Sequence, residues 1–340
     1  MAKCCGTTSA ARAESVHRSV RTNLPVNAPR LYTHDACLSH LAGTAHVERP
    51  ARLAAVIDAL SAAFPQSPWH DAPRATRAEL LRVHGDALVA RVLDTACPPG
   101  ATPLSLDADT LLGPGSAEAA LRAAGAGIAA TDAVLAGEVA RAFCAVRPPG
   151  HHATGSVAMG FCLFNNIALA AAHACDRHRL ERIAIVDIDV HHGNGTADIF
   201  HSDPRVMYLS SHQAALYPGT GASHERGVGN TVNVPLPAGA GSEAFRTAWR
   251  EHLLPVVNAF RPQLLLISAG FDADARDPLA ALQATPDDFG WLTRELVAVA
   301  DRHASGRVVS MLEGGYDLDA LREGVVAHVD ALAGRKIVGA

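Results

Sequence analysis

The stretch that decides the fold covers residues 181–196 and reads E-R-I-A-I-V-D-I-D-V-H-H-G-N-G-T. Its apolar, β-branched run at 183–186 predicts a buried strand. Asp187, Asp189 and His191 follow at alternate positions, and alternate residues of a strand point to the same face. Burying such groups is costly unless they are paired or bind a metal. The stretch therefore predicts half of a metal site at the end of a strand.

Outside this stretch, short apolar strands alternate with helices. We predict strands at 142–146, 182–190, 206–210, 264–268 and 308–312. We predict helices at 49–64, 116–135, 165–178, 243–260, 285–303 and 318–332, and a loop at 94–115. Ser116 and Thr285 are the expected N-caps of their helices, and Pro255 is an expected kink. This alternation is typical of an α/β protein with a mainly parallel sheet and helices on both faces.

Composition narrows the class of protein. The chain has 340 residues, 49% of them hydrophobic and 19% charged, with a net charge of -5. This charge argues against a nucleic-acid or anionic-membrane partner, and no apolar run reaches the roughly 18 residues of a transmembrane helix. The seven cysteines form no C-x-x-C pair, which indicates reduced thiols and a cytoplasmic location.

The first 30 residues are rich in Arg, Ser, Thr and Ala and contain one acidic residue, Glu14. They predict a flexible N-terminal extension, with a transit peptide as the alternative. No repeat or linker follows, so we expect one domain at 31–340.

Polar groups stand at the ends of four predicted strands. They are His151-His152, the Asp189/His191 pair, Asp272, and the Gly-Gly-Tyr run at 314–316. Ligands of open parallel sheets bind beyond the carboxyl ends of the strands. We therefore expect these groups to converge on one site.

Asp189, His191 and Asp272 form a set of three potential ligands. Three protein ligands with an open position are typical of catalytic zinc, although two carboxylates and one imidazole also suit Fe(II), Co(II) or Mn(II). The open position would take water and a substrate carbonyl oxygen.

Hydrolysis at such a site needs a proton acceptor for water and a proton donor for the leaving group. The pair His151-His152 can supply both. Asp187 can accept a hydrogen bond from an imidazole, and Tyr316 can donate one to the developing oxyanion.

The motifs together resemble those of zinc-dependent histone deacetylases, especially the class II-like bacterial amidohydrolases, over about 31–332. The resemblance rests on H-V-E-R-P-A-R-L (46–53), R-P-P-G-H-H-A (147–153), G-F-C-L-F-N-N (160–166), D-I-D-V-H-H-G-N-G-T (187–196), L-Y-P-G-T-G (216–221), S-A-G-F-D-A (268–273) and L-E-G-G-Y (312–316). It implies the arginase–deacetylase fold and one Zn²⁺ on the three ligands above.

The resemblance also implies roles for the catalytic residues. His152 is the general base and acid, oriented by Asn194, which stands where class I members have an acid. His151 is an electrostatic partner held by Asp187. Tyr316 is the residue that stabilises the oxyanion.

Further residues match the family's substrate channel. Phe161 and Tyr217 correspond to its aromatic walls, and Gly160 would offer its carbonyl to the substrate. Asp109 matches the acid at the rim, with Asp107 as a competitor, and Leu279 lies at the mouth. The resemblance also implies a potassium site and an acetate exit, which involve Asp187, Asp189, His191 and Ser210 for potassium and Arg52 for the exit.

A binuclear manganese site of the arginase type is the alternative within this fold. The F-D-A-D-x-x-D-P run that contains Asp274 resembles its second motif. The first motif would need an acid two residues after His191, where this chain has Gly193. The sequence therefore favours a mononuclear site.

Three functions stay open, with deacetylation of acyl-lysine leading. An acetylpolyamine amidohydrolase is the second, although Leu279 stands where polyamine-selective relatives carry an acid. The third is an inactive acyl-lysine-binding scaffold. The expected partner is an acylated primary amine, and a homo-oligomer is left open.

Overall fold

The computed structural model describes residues 1–2, 28–40 and 46–334. The strands are β1 Arg30–Thr33, β2 Trp69–Asp71, β3 Leu104–Ser105, β4 Leu111–Leu112, β5 Arg141–Cys144, β6 Ile183–Asp187, β7 Val206–Gln213, β8 Thr231–Leu236, β9 Leu264–Ala269 and β10 Val308–Leu312. The helices are α1 Pro50–Ala63, α2 Arg77–Leu80, α3 Asp86–Leu93, α4 Ser116–Leu135, α5 Asn166–His178, α6 Asn194–Ile199, α7 Ser242–Thr247, α8 Leu254–Phe260, α9 Pro286–His303 and α10 Leu318–Leu332, with a 3₁₀ turn at Asp35–Leu38.

Eight of these strands form one sheet in the order β2-β1-β5-β10-β9-β6-β7-β8, and each neighbouring pair is parallel. The central strands β5, β6, β9 and β10 are buried at every position, because helices cover the sheet. Helix α4 packs against α5, and α10 packs between α1 and α9. The expected single α/β domain with a mainly parallel sheet is confirmed.

Parallel order brings the carboxyl ends of the strands to one edge of the sheet. The four strands whose ends carry the polar motifs are β5, β10, β9 and β6, and they are consecutive neighbours in the sheet. Side chains far apart in the chain therefore meet there.

Some predicted boundaries are wrong. Strand β6 ends at Asp187, not 190, so Asp189 and His191 lie in the turn after the strand. Strand β7 extends to Gln213 and therefore contains His212. The predicted loop at 94–115 contains the short β3–β4 hairpin.

Ser116 is not an N-cap. The cap of α4 is Gly115, and Ser116 is the first helical residue. Its hydroxyl lies 2.7 Å from Nδ1 of His40 and accepts from the N–H of Gly113 at 2.9 Å. The hydroxyl thus joins the helix start to the preceding loop.

The expected kink at Pro255 takes the form of a π-helical segment at Ala248–Leu253 between α7 and α8. Proline lacks the N–H that the carbonyl of Glu251 would accept in an α-helix, so the turn before it widens. Thr285 is the N-cap of α9 as predicted, and its N–H donates to Asp288 at 2.8 Å. The predicted flexible extension falls largely on residues 3–27, which lie outside the described part of the chain.

Candidate active site

The three predicted ligands meet beyond the ends of β6 and β9. Nδ1 of His191 lies 3.0 Å from Oδ1 of Asp189 and 3.2 Å from Oδ2 of Asp272. All three residues are buried. Their ligand atoms lie within 4.8 Å of one another, as a shared metal ion requires.

The electrostatics of this cluster fit a cation. Burial and the charge of Asp189 raise the pKa of Asp272 to about 7, because two carboxylates cannot both stay ionised this close without a counter-charge. Oδ2 of Asp272 is buried and, apart from the approach of His191 Nδ1 to 3.2 Å, has no hydrogen-bond partner among the described residues. A divalent cation would satisfy this oxygen and both carboxylate charges.

The His151-His152 pair follows β5 and lies beside the ligands, with ring centroids 4.0 Å apart. Nδ1 of His151 lies 3.0 Å from Oδ2 of Asp187, and Nδ1 of His152 lies 2.8 Å from Oδ1 of Asn194. Both pairings are the predicted ones. Since each acceptor holds a proton on Nδ1, Nε2 of His152 is left as a free base.

The two histidines differ in charge state. Burial lowers the pKa of His151, but Asp187 and Asp189 outweigh it and raise that pKa well above its usual value. Burial and the charges of His151 and His191 hold the pKa of His152 well below its usual value. The site therefore sets a cationic imidazole beside a neutral one.

Tyr316 follows the Gly-Gly turn after β10, and each residue of that turn is anchored. The N–H of Gly314 donates to Oδ2 of Asp189 at 2.8 Å, and Nε of Arg52 donates to the carbonyl of Gly315 at 2.5 Å. The guanidinium of Arg52 also lies 4.7 Å from the ring centroid of Tyr316. The Tyr316 hydroxyl makes no hydrogen bond to the described residues and is free to contact a ligand.

A narrow cavity of about 230 Å³ leads from the surface to this cluster. It is lined by Asp109, His152, Gly160, Phe161, His191, Leu216, Tyr217, Leu279 and Tyr316. All five residues predicted for the substrate channel are among them. Leu216 is the one that sequence reasoning did not single out.

The geometry also separates the two candidate rim acids. Asp109 lines the cavity. Asp107 instead accepts the N–H groups of Asp109 and Thr110 at 3.1 and 2.6 Å. Asp107 therefore shapes the loop that presents Asp109.

The aromatic wall at Phe161 is built on a constrained backbone. Phe161 has a φ of 68° and Gly160 one of 57°, both in the left-handed region. A Cβ at position 160 would lie 2.5 Å from the ring of His152, so only glycine lets this segment approach the His151-His152 pair. The N–H of Phe161 donates to Oγ1 of Thr110 at 3.0 Å.

Sequence reasoning missed several buried groups that hold this site. Oε2 of Glu313 accepts from the N–H groups of Gly150 and His151 at 2.6 and 3.2 Å. The hydroxyl of Tyr208 donates to Asp187 at 3.0 Å. Glu48 pairs with Arg147 and Arg52 beneath the site. Two features of the sequence could have pointed to these groups. They are the acid directly before the Gly-Gly turn, Glu313, and the E-R pair at 48–49.

The described residues contain a second cluster of potential ligands, Asp132, His173 and His178. Nη1 of Arg82 lies 2.7 Å from Nδ1 of His173 and donates to it. This places the ring proton on Nε2, which donates to Asp132 at 2.7 Å. A metal-bound histidine instead donates its other nitrogen to an acceptor, so this cluster is a hydrogen-bonded network.

No described helix is long and apolar enough to cross a membrane. The five described cysteines are free, and they are Cys37, Cys97, Cys144, Cys162 and Cys175. Cys4 and Cys5 lie outside the described residues.

Comparisons with known proteins agree with this geometry. The histone deacetylase domain model matches residues 46–332. The chain is 43% identical over 283 residues to a histone deacetylase-like amidohydrolase of Pseudomonas aeruginosa, covering 81% of this chain and 73% of that one. It is 40% identical over 303 residues to the polyamine deacetylase HDAC10 of Homo sapiens, covering 85% and 45%.

Among solved structures, the chain is similar to the HDA15 HD domain, with a TM-score of 0.85 and 35% identity over 93% of this chain and 90% of that one. The first relatives matched are longer proteins, of which the match spans from about half to three quarters of the length, 52%, 76% and 73%.

Proposed function

Because this chain belongs to the histone deacetylase family, a family of amide hydrolases, we propose that it hydrolyses N-acetyl amides of acetyl-lysine type. One observation carries the proposal. A buried three-ligand cluster, a neutral and a cationic imidazole, and a free tyrosine hydroxyl meet at the bottom of one narrow, aromatic-walled cavity.

The cavity selects an extended acyl-amine. Phe161 and Tyr217 offer apolar faces to the methylene groups of a lysine-like chain, and Gly160, which also lines the cavity, would accept the amide N–H with its carbonyl. Asp109 accepts hydrogen bonds from the substrate backbone at the mouth.

The ligands proposed for Zn²⁺ are Nδ1 of His191 and carboxylate oxygens of Asp189 and Asp272. When bound, Zn²⁺ polarises the acyl carbonyl and lowers the pKa of water. A second metal finds no ligand at Gly193, where a Cβ would lie 2.2 Å from Oδ2 of Asp187. We therefore propose one metal per chain.

The protons move through His152. Its neutral Nε2 takes a proton from water as the water oxygen bonds to the carbonyl carbon. The Tyr316 hydroxyl donates to the developing oxyanion, and the His151 cation lowers the energy of that negative charge. His152 then gives its proton to the amine nitrogen, the C–N bond breaks, and acetate and a primary amine leave.

The test is Tyr316→Phe on the zinc-loaded enzyme with an acetyl-lysine peptide. We expect kcat to fall by a factor on the order of 10² to 10³, as for loss of one oxyanion donor. Bound zinc, measured by elemental analysis, stays at the wild-type level. Turnover at the wild-type rate would exclude the role of Tyr316. A metal-loaded wild type that turns over no acylated amine would favour the scaffold.

A polyamine deacetylase is the second candidate, favoured by the similarity to the human polyamine deacetylase. Leu279 opposes it, since an apolar side chain at the mouth cannot pair with a cationic tail. Comparing kcat/KM for N-acetylputrescine and an acetyl-lysine peptide separates the two, and we expect the peptide to be preferred.

Four further assignments stay predictions. They are the potassium site at Asp187, Asp189, His191 and Ser210, the acetate exit at Arg52, the flexible extension at 1–30 before a catalytic domain at 31–340, and the cytoplasmic location.

A further inference from the structure

Two residues of the cavity wall are held by one carboxylate that takes no part in the chemistry above. Asp277 is 6% exposed and lies in the loop that follows the ligand Asp272. Its Oδ2 accepts the backbone N–H of Tyr316 at 2.7 Å. Its Oδ1 accepts the backbone N–H of Leu279 at 3.0 Å.

The bond to Tyr316 completes the anchoring of the turn at 314–316. Asp189 holds the N–H of Gly314, and Arg52 holds the carbonyl of Gly315. The carbonyl of Gly315 and the N–H of Tyr316 lie in one planar peptide group. Arg52 therefore holds one edge of this peptide, and Asp277 holds the opposite edge, from which the Tyr316 side chain follows.

The carboxylate is itself held in place. The N–H of Asp277 donates to the carbonyl of Asp274 at 3.0 Å. The N–H of Ala275 donates to the carbonyl of Ala284 at 3.1 Å, and the N–H of Ala284 donates to the carbonyl of Ala273 at 3.0 Å. The loop is thus closed on itself and presents Asp277 to the turn as a rigid support.

We propose that Asp277 is a positioning residue that sets the Tyr316 hydroxyl and the Leu279 wall at a fixed separation in the cavity. The proposal rests on the function proposed above, because it acts through Tyr316. Asp277 itself contacts neither the substrate nor the ligand cluster in this assignment. A displacement of Tyr316 by about 1 Å is enough to cost a factor on the order of 10² in rate.

Asp277→Asn is the informative change. An amide keeps the shape of the carboxylate but offers one acceptor oxygen, and its NH₂ group would face a backbone N–H. One of the two bonds is therefore lost. With zinc-loaded protein and an acetyl-lysine peptide, we expect kcat to fall by a factor of about 10 to 100, with a smaller change in KM.

A double-mutant cycle separates positioning from general damage. In the Tyr316→Phe background, Asp277→Asn should lower the residual rate by no more than about threefold, since the group it positions is gone. Asp274→Asn is the matched control, because it removes a buried carboxylate of the same loop that does not bond to Tyr316 or Leu279. We expect it to leave kcat within about threefold of wild type.

Hydrogen exchange gives a readout independent of turnover. Asp277→Asn should speed amide exchange in peptides covering 277–282 and 313–318 and leave peptides of α9 unchanged. Faster exchange throughout the protein would show a general structural role and overturn the proposal. An equal loss of rate in both Tyr316 backgrounds would also overturn it, as would an Asp274→Asn effect of the same size.

The outcomes also distinguish this inference from the proposed function. If the zinc-loaded wild type hydrolyses no acylated amine, the proposed function fails. If Tyr316→Phe is impaired while Asp277→Asn turns over normally, only the positioning role fails.

Discussion

At the scale of single residues, Asn194 orients the proposed base His152 through a hydrogen bond to an uncharged oxygen. Its Oδ1 accepts from Nδ1 of His152 without adding a charge, and burial with two neighbouring imidazoles keeps the pKa of His152 low. Asn194→Asp would place a carboxylate against the same nitrogen and raise the pKa of His152 by about 1 to 3 units.

His152 must be neutral to take a proton, so activity falls as the pH drops through its pKa. We expect the acid limb of the kcat/KM profile of Asn194→Asp to move to higher pH. Asn194→Ala, which adds no charge, should lower kcat without that upward movement. Identical acid limbs in Asn194→Asp and wild type would contradict this assignment.

Gly193 also matters to the site, because there is no room for a side chain at its position. A Cβ there would lie 2.2 Å from Oδ2 of Asp187 and 3.1 Å from Nδ1 of His151. Gly193→Ala should push these two groups apart, lower kcat and cost about 1 to 3 kcal/mol of unfolding free energy.

Gly85→Ala is the control, because the nearest atom to its Cβ would be 3.7 Å away. Thermal melts and steady-state rates of both variants test the expectation. A Gly193→Ala protein with wild-type rate and melting temperature would show that Asp187 and His151 tolerate separation.

At the scale of elements, Asn165 joins three parts of the site. Its Oδ1 caps α5 by accepting from the N–H of Ala168 at 3.0 Å. Its Nδ2 donates to the carbonyl of Ala153 at 3.0 Å and to Oγ1 of Thr196 in α6 at 3.1 Å. One side chain thus ties the His151-His152 loop to two helices.

Asn165→Ala removes the cap and two donors at once, and we expect it to cost about 2 to 3 kcal/mol. Asn165→Ser retains a capping oxygen and should recover about 1 kcal/mol of that loss. Urea denaturation of the three proteins measures both differences. Equal stability of the Ala and Ser variants would show that the cap contributes nothing.

The elements differ in how far sequence reveals them. The central strands were predicted because burial on both faces leaves an unbroken apolar run, as in β6 and β9. Strand β1 and the edge strands β2 and β8 were not predicted, because they are short or mix polar residues and, in β8, include Pro235. Their pairing comes from the sheet, not from local preference.

At the scale of the whole molecule, the site also has a part that could be predicted from the sequence and a part that could not. Every residue predicted to touch the ligand or the substrate follows a strand end or stands in a local motif, and the fold brings these together. Asp277, Glu313 and Tyr208 support the site through contacts 39, 163 and 21 residues away in sequence. Such pairings are set by tertiary packing, which no local pattern encodes.

Buried histidines make the folding stability of the whole protein depend on pH in the acid range. Burial lowers the pKa of His40 and His84 to about 4 and that of His328 to about 3. His328 is fully buried between Oγ1 of Thr293 at 2.7 Å and Oγ of Ser310 at 2.8 Å. All three are neutral in the folded protein down to these values, whereas an unfolded histidine takes a proton near pH 6.5.

The unfolded state therefore binds more protons below pH 6.5, and stability falls as the pH drops from there toward 4. Each of the three should cost on the order of 2 kcal/mol between pH 7 and 4.5. His328→Gln removes one titrating group, so its loss of unfolding free energy over that range should be smaller than wild type by about that amount. Replacing the exposed His224 with Gln should leave the loss unchanged. Urea titrations of the three proteins at both pH values decide this, because equal losses in wild type and His328→Gln would mean that His328 is protonated in the folded state.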